Sequence, residues 1–88
     1  MFDYAAEAAA ALLDIARQRE YIKTLRKQRA FIEIVQIQED DLQRTRLFRL
    51  RYALRKAVEQ DQITQEEADA IIVADRQAQK EFKKGGGG

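Results

Sequence analysis

Cysteine, histidine, serine, asparagine, proline and tryptophan are all absent from this chain of 88 residues, and its only glycines are Gly85 to Gly88. Without Cys and His there are no disulfides, thiolates, imidazole bases, zinc fingers or haem ligands. Without Ser as well, the usual nucleophile–base pairs of covalent catalysis cannot be assembled, and no glycine loop exists to cradle a phosphate. Glu39-Asp40-Asp41 and Glu66-Glu67-Asp69 are acidic clusters, but they have neither the ligand spacing nor the glycine of a calcium loop. A non-enzymatic protein with no cofactor and no metal is therefore expected. No apolar run approaches the roughly 18 residues of a membrane span. No basic region precedes the apolar N-terminus, so no signal peptide is read there. These absences point to the cytoplasm or the inside of a particle.

What is present has a clear bias. Ala, Glu, Lys, Leu and Arg supply 45 of the 88 residues, the composition of long helices and coiled coils. A chain of this length supports one domain. The formal net charge is +1, yet residues 1–16 sum to −3, residues 17–56 to +7 and residues 57–88 to −3. An acidic–basic–acidic layout of this kind bears on association and partners, not on fold.

Nothing from Phe2 to Lys84 forces a helix to stop, because no Gly or Pro intervenes. Two softer breaks stand out. One is Glu39-Asp40-Asp41, whose aspartates suit a cap better than a helix interior. The other is Gln60 to Thr64, where Thr64 and Glu67 have the spacing of a capping box. The expected fold is all-α: a long N-terminal helix over 3–38, then a shorter helical hairpin over 41–60 and 65–83, with coiled-coil-like packing. Residues 1–84 form a single domain in this reading, and 85–88 a flexible glycine tail. One continuous helix over 3–59 is the alternative, since the three carboxylates only suggest a break.

The first helix carries a heptad seam: Ala8, Ala11, Ile15, Gln18, Ile22, Leu25, Arg29 and Ile32. A helix over 3–38 would reach about 54 Å, against about 30 Å for each helix of the hairpin. Part of the seam would then stay uncovered, and an exposed apolar stripe marks a partner surface. Ala8, Ala11, Ile15, Ile22 and Leu25 are accordingly expected to bind protein, either a second copy or a larger assembly.

The second helix holds Arg44, Arg46, Arg49, Arg51, Arg55 and Lys56, with no acid between Asp41 and Glu59. Helical spacing puts Leu47, Leu50, Leu54, Ala57 and Val58 toward a core. Phe48 and Tyr52 form an i, i+4 aromatic pair on the opposite side. Arg44, Phe48, Arg49, Arg51, Tyr52, Arg55 and Lys56 thus make a candidate partner-binding face. It suits an acidic protein, with rings as anchors and arginines as clamps. It also suits nucleic acid, with bases stacked on the rings. Internal packing, with arginine stems lying over the rings, is the plainer reading.

The third helix gathers Ala68, Ile71, Ile72, Ala78 and Phe82 on one face, with Asp75 among them. A carboxylate there needs a cation. Antiparallel packing brings Arg46 and Arg49 level with it, and Arg29 is the alternative. Taken together, the expectation is a structural or assembly protein. It would be a small helical subunit of a larger complex, like those of a virion or secretion apparatus, joined through the seam and the charge blocks. A nucleic-acid-binding module using the Arg-rich helix is the alternative. A designed helical protein is a third reading, favoured by the glycine tail and opposed by the ten glutamines.

Overall fold

The computed structural model describes residues 1–86, which contain helices and no strand. Helix α1 is Tyr4–Lys27. A second rod follows without a break from 32 to 59: α2 (Ile32–Arg44), a π-helical turn (Thr45–Leu50) and α3 (Arg51–Glu59). The last helix, α4, is Gln65–Gly86. This is the expected all-α architecture, a long N-terminal helix followed by two more, packed together. Of the expected glycine tail, Gly85 and Gly86 continue α4, and Gly87 and Gly88 lie outside the described residues.

Two helix starts follow from local chemistry. The Asp3 carboxylate accepts the Ala6 N–H at 2.9 Å and caps α1. The Thr64–Glu67 capping box forms in full. The Glu67 N–H donates to Thr64 Oγ1 at 3.1 Å, and the Thr64 N–H donates to Glu67 Oε1 at 3.1 Å.

The first helix ends ten residues earlier than the sequence suggests. Ala30 N–H donates to the Leu25 carbonyl and Arg29 N–H to the Arg26 carbonyl, with Arg29 at φ 55°. That pair of bonds is a Schellman closure, normally built with glycine at the left-handed position. The same closure ends α3, where Asp61 has φ 57° and Gln62 N–H reaches the Ala57 carbonyl. Because an L side chain is disfavoured in the left-handed region, Arg29→Gly should stabilise the chain by about 0.5–1 kcal/mol. Chemical denaturation of the two proteins measures this directly.

Glu39-Asp40-Asp41 does not break the helix, because two of its carboxylates have partners across the bundle. Arg26 Nη2 donates to Glu39 at 2.6 Å and Gln18 Nε2 to Asp41 at 2.9 Å.

The early turn corrects the seam. α1 has 24 residues, about 36 Å, and the second rod covers all of it. Ala8, Ala11, Ile15, Ile22 and Leu25 are buried inside the chain, against Val35, Leu42, Leu50, Ala53 and Leu54. They are core, not partner surface. Gln18 sits at the edge of this core and donates to the Gln38 carbonyl, while Arg29 and Ile32 fall outside it. In α4, Ala68 and Phe82 are buried and Ile71 and Ile72 partly so, but Ala78 is exposed. Leu47 and Val58 are only half-buried, and Ala53 takes an interior place instead.

Candidate functional site

The site is organised by the π-helical turn. Buried positions of the second rod fall at Val35, Leu42, Leu50 and Ala57, so the spacing runs seven, eight, seven. A strict heptad from Leu42 would put Arg49 and then Lys56 into the core. The wider turn absorbs one extra residue, returning Leu50 and Ala57 to the interior and turning the two cations out.

Within that turn two arginines leave in different directions. Arg46 reaches α4, its Nη2 donating to Asp75 Oδ2 at 2.9 Å and its Nε to the same oxygen at 3.1 Å. From the other side Arg19 Nη2 donates to Asp75 Oδ1 at 2.9 Å and its Nε to Gln79 at 3.2 Å. The Asp75 side chain is 9 % exposed. The sequence expectation of Arg46 as partner holds. Arg49 and Arg29 do not take part, and Arg19 is the second cation.

Arg49 instead meets α1: its Nε donates to Glu7 at 2.6 Å and its Nη1 to Asp14. Those hydrogen bonds push its guanidinium further above the ordinary arginine value. The charge blocks are thus joined within one chain. Acids of the outer blocks, Glu7, Asp14 and Asp75, meet arginines of the basic middle.

The outward side of the turn carries the aromatic pair. Phe48 is 70 % exposed and Tyr52 about half exposed. Arg55 and Lys56 stand over the Tyr52 ring at 5.6 and 5.7 Å. Lys56 also pairs with Glu59 at 3.2 Å, which raises its ammonium pKa. Arg44, Arg51 and Arg55 have no carboxylate partner among the described residues. A shallow groove of about 620 Å³ runs between Leu47, Phe48, Arg49, Arg51, Tyr52 and Arg55.

The structure adds two rings that sequence reasoning left out. Phe2 and Tyr4 meet edge-on at 4.7 Å between centroids, and Tyr4 meets Tyr52 at 6.3 Å. With Glu7 and Arg49 they line an adjoining groove of about 350 Å³. Gln62, in the turn before α4, holds this N-terminal segment in place. Its Nε2 donates to the Phe2 carbonyl at 2.9 Å, and its Oε1 accepts the Ala5 N–H at 3.0 Å. No local pattern in the sequence links Gln62 to residues some sixty positions away, so this extension of the face was not legible.

Of the seven residues expected on the face, Arg44, Phe48, Arg51, Tyr52 and Arg55 remain available, while Arg49 and Lys56 are engaged by acids of the chain itself. No group of three or more carboxylates gathers as metal ligands among the described residues. No family model matches this chain, and neither a curated protein nor a solved structure matches it.

Proposed function

We propose that the chain is a non-enzymatic assembly module, a small helical subunit that docks an acidic segment of a protein partner on its Arg/aromatic face. One contrast carries this reading. Arg19, Arg26, Arg46 and Arg49 are each paired with a carboxylate of the chain, whereas Arg44, Arg51 and Arg55 surround two exposed rings without one. Guanidinium forks left open beside aromatic anchors suit carboxylates of a partner, and Tyr and Arg are the residues that most often dominate binding energy.

The Tyr52 environment favours protein over nucleic acid. Its ring already has two cations over it and the edge of Tyr4 against it. Only Phe48 offers a free face for stacking, and single-strand binders use a succession of rings.

Fluorescence anisotropy tests this with two probes at physiological salt: a Glu/Asp- and Leu-rich helical peptide, and a short single-stranded oligonucleotide of mixed sequence. The peptide should bind, and Phe48→Ala or the double change Arg51→Ala/Arg55→Ala should weaken it by about thirtyfold, the loss expected of an interface anchor. Tighter binding of the oligonucleotide, falling steeply with added salt, would replace this reading with the nucleic-acid one.

A further inference from the structure

A second surface lies at the opposite end of the second rod. The Schellman closure at Arg29 turns the chain so that Phe31 and Ile32 project outward, 76 % and 65 % exposed. Ile34 and Ile37 continue this apolar surface along α2, while Val35 alone of that segment enters the core. From Ile32 to Phe48 is about 24 Å along the rod, so this tip is separate from the Arg/aromatic face.

The register of α4 supplies the charge. Asp75 contacts Arg19, and seven residues further on the Phe82 ring lies 4.8 Å below the Arg26 guanidinium. α4 therefore runs alongside α1 in the same direction, and Lys83 and Lys84 come level with Lys27 and the 28–31 turn. Lys27, Arg29, Lys83 and Lys84 are all exposed and have no ion pair among the described residues. Of the acids at this level, Glu39 is held by Arg26 and Glu81 accepts from Gln77. Glu33 is the remaining acid, so the tip carries an excess of positive charge.

We infer that this tip seats on an anionic lipid surface, with Phe31 and Ile32 entering the boundary between headgroups and acyl chains. Three features select that occupant. A second copy would bring four cations against four. Isoleucines give nucleic-acid bases nothing to stack on. Three of the four rim cations are lysines, flexible point charges that reach headgroups while their stems lie over apolar surface. A protruding apolar wedge inside a lysine rim is how peripheral proteins hold an anionic bilayer. No helix among the described residues is long and apolar enough to cross a membrane, so the contact is peripheral.

The chain has no tryptophan, which makes Phe31→Trp a single reporter of the tip. Its emission should shift to the blue on phosphatidylcholine vesicles containing about a third phosphatidylserine, and should not shift on phosphatidylcholine alone. In vesicle sedimentation, Phe31→Ser/Ile32→Ser and Lys83→Glu/Lys84→Glu should each reduce partitioning about tenfold or more, with helix content by circular dichroism unchanged. Serine is a better residue than phenylalanine at the start of α2, so the first variant does not lose folding there. Phe48→Ala should bind vesicles like the wild type, which separates this result from the fate of the Arg/aromatic face. Absence of the blue shift, equal binding to both vesicle types, or double variants that partition like the wild type would each overturn the inference. So would self-association of the wild type that Phe31→Ser/Ile32→Ser abolishes, which would assign the tip to a second copy.

Discussion

Asp75→Ala is expected to destabilise the chain by about 3 kcal/mol, below the upper end seen for broken buried pairs because the site is not wholly dry. For a domain of this size that corresponds to a fall of roughly 15 °C in Tm. Removing the carboxylate leaves two guanidiniums, Arg19 and Arg46, facing each other across α4 with their own side chains largely covered. An exposed pair would lose no more than about 1 kcal/mol, so thermal unfolding distinguishes the two cases. The triple change Asp75→Leu/Arg19→Met/Arg46→Met should recover most of the loss, since replacing a whole buried ionic cluster by apolar groups is often neutral or better. A single variant as stable as the wild type would show that α4 is held by Ala68 and Phe82 alone.

The second large effect lies in the seam. Ile15 and Ile22 are fully covered within the chain. Ile22→Ala alone should cost about 2–5 kcal/mol through lost transfer energy and a residual cavity. Total stability for 88 residues is on the order of 4–13 kcal/mol. Polar replacement of Ile15, Ile22 and Leu25 together should therefore leave the chain unfolded. Loss of the 222 nm circular dichroism signal reads this out. A folded triple variant with a changed mass in solution would instead return the seam to the role of interface.

These results also mark what the sequence discloses. The all-α class and the uninterrupted second rod follow from the missing Gly and Pro and from helical spacing. The need for a cation at Asp75 follows from its place on an apolar face, and antiparallel packing was enough to name Arg46. Arg19 was out of reach, because its position opposite Asp75 depends on where α1 ends. That end is encoded in backbone closure at Arg29, a residue type with no preference for the left-handed region, so composition carries no trace of it. Glu39-Asp40-Asp41 misled for the converse reason. Carboxylates that look like a cap serve as partners for Arg26 and Gln18 once the helices are side by side. The aromatic pair with its arginines was legible. The loss of Arg49 from it was not, since Glu7 and Asp14 lie on another helix.

The seven–eight–seven spacing of the second rod has a consequence for descent. Between Leu42 and Leu50 the rod holds one residue more than a regular heptad, and the widened turn is where the surplus is stored. A relative shorter by one residue there would keep the same buried register as an unbroken α-helix. It would nonetheless present its arginines and rings about 100° away from where this chain presents them. Arg46 could then no longer serve α4 while Arg49 serves α1, even with every side chain conserved. For this protein a one-residue gap in an alignment would separate lineages more sharply than many substitutions, because length, rather than residue identity, sets the direction in which the face points.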